Sequence, residues 1–180
     1  MKKKIALLLS KIFIAYYKIR YNNRIFFGKN IIINHRFKIK GHGKLYIDDN
    51  SNLWAHEEPN YFNFYKKTAS IKIGKNTRLN GITCHCETSI EIGDDCLIGS
   101  AIIMDTDFHT FEDPNHILYG NEKSKPISIG AKTWICGQAV ILKGCQIGNS
   151  SVIGFRAVVT KNFPDNVVIA GNPARIVKQN

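Results

Sequence analysis

The sequence predicts an all-β chain wound as a parallel β-helix, and three observations carry that prediction. Residues 129–164 divide into six six-residue units in unbroken register: IGAKTW, ICGQAV, ILKGCQ, IGNSSV, IGFRAV and VTKNFP. The first places are Ile129, Ile135, Ile141, Ile147, Ile153 and Val159, all β-branched, whereas the fifth places are mostly small: Thr133, Ala139, Cys145, Ser151, Ala157 and Phe163. A period of six matches neither a 3.6-residue helix nor strand alternation, but it suits a chain that turns a corner every six residues. One large side chain then fills each corner from inside, and each short strand lies about 4.8 Å from its equivalent three units later.

The chain opens on a different pattern. From Met1 to Lys44 there are twelve Lys or Arg and no acid, whereas the rest carries thirteen Lys or Arg against fourteen Asp or Glu, so the net charge of +11 belongs to the N-terminal end. Within it, Ile5, Leu8, Leu9, Ile12, Tyr16 and Ile19 fall at helical spacing, with Lys4, Lys11, Lys18 and Arg20 between them. This predicts a basic amphipathic helix over residues 3–21. Two readings of it stay open: a helix packed across the end of the coil, or one lying on the anionic inner face of a membrane. Aromatics interleave with the basic residues, but no recognised nucleic-acid motif accompanies them, and nucleic acid is not expected as a partner. The opening MKKKIALLLS imitates a signal peptide, yet Lys11 cuts the apolar run short and no small-residue cleavage site follows. A cytoplasmic, uncleaved chain is expected.

Degenerate hexads begin at Phe27, Ile33 and Ile39, and the repeat resumes at Ile47 after a slip. Residues 54–70, WAHEEPNYFNFYKKTAS, break the period and are expected to be an excursion or irregular coil. Units return at Ile73 and Leu79, then at Ile92, Ile98 and Met104, and the expected coil has just under six turns of three units. Residues 1–24 are thus a basic helical segment and 25–180 one repeat domain with a loop over 110–126. At 180 residues, 44% hydrophobic and 22% charged, the chain has the composition of a globular domain. Five scattered cysteines fit reduced thiols better than a disulfide framework.

The second informative stretch is DTDFHTFEDPNHILYGNEKSKP, residues 105–126, a polar interruption with two prolines that reads as a loop projecting from one coil. Excursions from rigid scaffolds carry function, and this one opens with Asp105, Asp107 and His109. Acyl transfer to a hydroxyl or amine requires loss of the acceptor's proton as it attacks. Histidine is the side chain best suited to take that proton at neutral pH. A neighbouring carboxylate, Asp105 or Asp107, would orient the imidazole. Cys84, His85, Cys86 and Cys96 invite a zinc reading, but C-x-C is too short for chelating pairs and alternate strand residues share one face, so no metal is expected.

The runs IGDDCLIGSAIIMDTDFHTF and KPISIGAKTWICGQAVILKGCQIGNSSVIGFRAVVTKNFPDNVVIAGNPARIV, within residues 71–177, resemble the sugar O-acetyltransferases of the hexapeptide-repeat family. These include galactoside and maltose acetyltransferases and enzymes that acetylate surface polysaccharides. The resemblance implies a left-handed β-helix, against the usual right-handed crossover. It also implies acetyl-CoA as cosubstrate, a sugar acceptor and a homotrimer in which His109 of one chain meets Trp134 and the coenzyme of the next. On it, His109 is the catalytic base, Asn80 helps hold the acceptor, and Trp134 lines the site beside the pantetheine arm. A backbone N–H near Gly137 meets the oxyanion. Phe155, Arg156 and Ala157, then Thr160 and Lys161, and finally Arg175 contact the coenzyme, whose phosphates suit the basic residues. Cys136 stands where the family has glycine. Residues 1–50 lack a clear match to the helical region of the galactoside and maltose enzymes, which favours the polysaccharide-modifying branch. Alternatives are N-acetylation of a nucleotide-linked amino sugar and a non-catalytic scaffold. A carbonic-anhydrase-like zinc site would need three histidines at family spacings, which His85, His109 and His116 do not supply.

Overall fold

The computed structural model describes residues 2–109 and 123–179, with side chains from Lys4 onward. It is a parallel β-solenoid with three faces, preceded by a helix over Lys2–Tyr21. The first face holds six strands from Ile25–Phe27 to Gln146–Ile147, and the third holds six from Phe37–Gly41 to Val158–Val159. The second runs from Ile32–Ile33 to Val167–Ala170, where the antiparallel strand Arg175–Gln179 adds an eighth. Six coils are complete, and Phe163, bridged to Ile147, begins a seventh with Val167–Ala170. That exceeds the just under six coils expected from the sequence.

The six-residue period has a backbone cause. The fourth place of successive units carries positive φ: 57° at Lys132, 58° at Gln138, 76° at Gly144, 54° at Ser150 and 58° at Arg156. A single left-handed residue turns the corner without a long loop, and the register then repeats. First-place side chains stack inside: Ile73 on Ile92 on Ile129 on Ile147 along one corner, Ile98 on Ile135 on Ile153 along another. Burial of each such aliphatic side chain contributes about 1.5–3 kcal/mol, so the stack is the main source of stability. At Gly130 an added Cβ would meet the Asn149 amide nitrogen at 2.6 Å, which is why the second place favours glycine. Cys136 occupies the same place on another face without breaking the ladder, its N–H donating to Ile153 O at 2.9 Å.

Residues 54–70 are not an excursion throughout. Asn60–Phe64 forms a regular strand of the third face, paired with Phe37–Gly41 and Thr83–Cys86, with Phe62 and Phe64 buried. The hexad is masked because a fully buried asparagine stands at the turn. Asn60 Nδ2 donates to Leu53 O at 2.7 Å, while its Oδ1 accepts from the N–H groups of Gly81 and Ile82 at 2.9 and 3.1 Å.

The helix packs across the first coil, closing backbone groups an edge would leave open. Ser10 Oγ accepts from Ile33 N–H at 3.0 Å, Tyr21 Oη donates to Ile39 O at 3.0 Å, and Tyr17 Oη donates to Phe37 O. Burial, reinforced by the neighbouring Tyr21 and Tyr16, pushes the Tyr17 phenol up to about 12. The apolar spacing that predicts the helix does not supply its packing face. Ser10 and Tyr17 are buried, with Phe13, Ile14 and Tyr21 packed against the core, whereas Ile5, Leu8, Leu9, Ile12, Tyr16 and Ile19 are exposed. No helix among the described residues is long and apolar enough to cross a membrane.

Candidate active site

The root of the projecting loop is well defined. Thr106 bridges Ser124 in antiparallel sense and Lys125 N–H donates to Asp105 O at 2.8 Å, so the chain leaves and re-enters the solenoid at one place. Most of the loop expected over 110–126, and His116 with it, lies outside the described residues. His109, the last described residue before it, follows the strand Ile102–Met104 of the third face. It lines a cleft of about 430 Å³ with Tyr65, His85, Glu87, Thr106 and Phe108.

Strand register assembles this cleft. Asn63 pairs with His85 and His85 with Met104 across three successive coils, bringing Tyr65, His85 and the 105–109 turn together. Strand alternation sends Cys84 and Cys86 into the core and His85 outward. Asn63 Nδ2 donates to the Tyr65 phenol oxygen at 2.6 Å, and that hydroxyl lies 2.9 Å from His85 Nδ1. Phe108, held at φ 62°, packs edge-on against both rings, 5.2 Å from each centroid. Burial pulls His85 below the usual histidine range, and burial likewise pushes the Tyr65 phenol up. The imidazole is therefore neutral near pH 7, with one ring nitrogen engaged by the Tyr65 hydroxyl and the other left to face the cleft.

Among the described residues, both aspartates have partners other than His109. Asp105 is fully buried: one carboxylate oxygen accepts from Glu87 N–H at 2.7 Å, the other from Thr88 N–H at 2.7 Å and Thr88 Oγ1 at 2.8 Å. Asp107 is ion-paired with Lys143. The two residues secure the root of the loop from opposite sides. Glu87 is ion-paired with Lys66; burial alone would raise its carboxyl, but hydrogen bonds from Lys66 and Thr106 and the Lys66 charge bring the net shift downward.

The remaining candidates gather elsewhere. Trp134 stands half exposed on the second face, stacked in register between Leu97 and Val152. A Cβ on Gly137 would lie 3.6 Å from the Phe155 ring, the Arg156 guanidinium sits 5.2 Å over that ring, and Arg156 Nε donates to Gln138 Oε1 at 2.6 Å. The amides flanking Gly137 are taken: Cys136 N–H goes to Ile153 O and Gln138 N–H to Ser100 O. Ala157 is buried under this surface, and Thr160, Lys161 and Arg175 are exposed toward the chain's end. Asn80 lies at the turn from the second to the third face, its Oδ1 accepting from His56 N–H at 3.0 Å. Within one chain, then, His109 opens from the third face while Trp134 stands on the second. Among the described residues no group of three or more His, Cys, Asp or Glu converges as a metal site would require.

Sequence reading missed Tyr65, His85 and Phe108 as one group. The alternation around Thr83–Cys86 carries a signal for His85, whereas Tyr65 directly follows the strand Asn60–Phe64, whose period is masked.

The fold and its repeat define a hexapeptide-repeat protein: residues 126–161 match the family model described as bacterial transferase hexapeptide, six repeats. Over those residues the chain carries the repeat of that transferase family. It is 37% identical over 131 residues to a galactoside O-acetyltransferase of Escherichia coli K12, covering 71% of this chain and 61% of that protein. Identity to a galactoside O-acetyltransferase of Lactococcus lactis is 31% over 123 residues, covering 68% and 58%. The chain therefore spans about three fifths of the length of these curated relatives. Among solved structures, a galactoside acetyltransferase in complex with coenzyme A superimposes with a TM-score of 0.61 at 34% identity, covering 74% of this chain and 64% of that one.

Proposed function

We propose that the protein is an acetyl-CoA-dependent O-acetyltransferase that moves an acetyl group onto a sugar hydroxyl, with His109 as general base. The observation that carries this reading is the cleft at the loop root. An exposed imidazole stands beside two aromatic rings and a neutral histidine, a surface suited to a pyranose ring with its apolar face and its hydroxyls. The similarity to galactoside O-acetyltransferases supports the same chemistry.

In this reaction the acceptor oxygen attacks the thioester carbonyl while His109 takes the hydroxyl proton. The oxyanion of the tetrahedral intermediate receives the backbone N–H of Gly137, whose neighbours' amides are already engaged. The carbon–sulfur bond then breaks, the imidazolium returns the proton to sulfur, and coenzyme A leaves as the thiol. Trp134, Phe155, Arg156 and Ala157 flank the pantetheine arm, Thr160, Lys161 and Arg175 lie toward the phosphates, and Asn80 helps hold the acceptor.

His109 and Trp134 open from different faces of one prism, which supports a homotrimer whose sites lie between chains. We place the enzyme in the cytoplasm, peripherally on the inner membrane face, acting in surface-polysaccharide synthesis. Transfer of labelled acetyl from acetyl-CoA to a panel of glycosides tests the activity: labelled ester with stoichiometric release of coenzyme A is expected, and the absence of ester across the panel would overturn it. Sedimentation of the active species as a monomer would count against the shared site.

A further inference from the structure

The N-terminal helix has two apolar faces, and the solenoid uses only one. Ser10, Phe13, Ile14, Tyr17 and Tyr21 lie against the first coil, with Ser10 and Tyr17 buried. On the opposite side Leu8 is 63%, Ile12 66% and Ile19 83% exposed, with Tyr16 beside them, while Ile5 and Leu9 turn toward a groove that they line with Ile32, Trp54 and Arg78 of the solenoid. A helix that needs only to cap a coil has no use for this second face. Large aliphatic side chains left in water at i, i+4 and i+11 share one side of the helix and form an apolar strip, which marks an interaction surface.

Lys4, Lys11 and Lys18 recur every seven residues, so they form one exposed row along the edge of the strip. No acid lies anywhere in residues 1–44 to neutralise them. That charge pattern selects the occupant. A second copy of the same helix would bring two uncompensated lysine rows together. An anionic bilayer supplies both an apolar layer for the strip and phosphates for the lysines. Tyr16, half exposed within the strip, is a residue type suited to the headgroup depth.

We infer that the exposed face of Lys2–Tyr21, centred on Leu8, Ile12 and Ile19 and edged by Lys4, Lys11 and Lys18, docks the folded enzyme onto an anionic lipid surface while the opposite face stays locked on the first coil. This deepens the peripheral-membrane reading above and rests on it. The helix does not detach to bind; cap and anchor are the two sides of one rigid element. Because its outward face points away from the coils, the prism stands off the bilayer with its cleft in the aqueous phase, where a saccharide carried on a membrane lipid would meet it.

Deleting the helix cannot test this, since the cap would go with it. Surface substitutions can. Wild-type protein, L8N/I12N, and K4Q/K11Q/K18Q are cosedimented with phosphatidylcholine vesicles that do or do not contain about one third phosphatidylglycerol. Each is run at low salt and at about 1 M, where the Debye length drops to about 3 Å. Melting temperature, sedimentation coefficient and acetylation of a soluble glycoside are measured in parallel. Wild type is expected to bind only the anionic vesicles, more weakly at high salt. The lysine variant should lose about fivefold in partitioning per charge removed. The asparagine variant should lose binding at both salt concentrations, and all three should melt together. Vesicle binding by neither form, or equal binding by all three, overturns the inference. A fall in oligomer mass for L8N/I12N also overturns it, because the face would then be a contact between copies. Loss of soluble-glycoside turnover in wild type would instead strike the enzymatic reading and leave the docking result standing.

Discussion

The phenol oxygen of Tyr65 lies 2.9 Å from Nδ1 of His85, in the same cleft as His109. Asn63 donates to the phenol oxygen from its other side, so the three side chains form a short polar relay that fixes the orientation of the neutral His85 ring. On the proposed function, the acceptor rather than the coenzyme meets this ring. Tyr65→Phe is therefore expected to raise the KM for a glycoside acceptor about tenfold, a lost hydrogen bond of 1–2 kcal/mol, and to leave the KM for acetyl-CoA unchanged. Steady-state kinetics varying each substrate in turn checks this; a change confined to acetyl-CoA would put the relay on the wrong side of the reaction.

The same burial has a consequence for stability. His85 titrates below the ordinary value of about 6.5 because burial disfavours its charged form. Below pH 6.5 the unfolded chain therefore binds a proton that the folded chain refuses, so stability falls as pH drops from 6.5 toward the folded value and is regained as pH rises. Replacing His85 by Gln should flatten that slope. Urea titrations of both proteins between about pH 5.5 and 7.5 measure it, and parallel slopes would contradict the assignment.

Asp105 is a structural carboxylate. Its two oxygens take the N–H groups of Glu87 and Thr88 and the Thr88 hydroxyl, all in the interior. Asp105→Asn turns a donor toward donors, and should cost about 2–4 kcal/mol, or roughly 5–15 °C in Tm. The folded fraction should keep its pH–rate profile. An unchanged Tm with a displaced profile would return Asp105 to a catalytic role.

Much of the fold was legible in the sequence, for a physical reason. One left-handed residue and one inward aliphatic side chain per six residues are all that a coil needs, so Ile129–Val159 declare themselves without tertiary information. The period failed where a buried polar group replaced the aliphatic one: Asn60 satisfies three backbone groups and conceals the strand that leads into Tyr65. His109 was legible because an interruption of so regular a repeat stands out. The partners of His109 were not, because Tyr65 and His85 meet it only through register across coils. The helix was legible by spacing but not by face. Its capping side joins Phe13 and Ile14 to Ser10, Tyr17 and Tyr21, whose hydroxyls bond the backbone of the first coil and carry no hydrophobic signal.

The central claim is that His109 removes the proton from a sugar hydroxyl. Turnover of His109→Ala and wild type, measured on a glycoside that the wild type acetylates and at saturating acetyl-CoA, tests it most directly. The account predicts a loss of about 10²–10⁴-fold in kcat with an unchanged melting temperature, since an exposed residue at the loop root supports no core packing. Wild-type turnover in the purified, folded variant would contradict it.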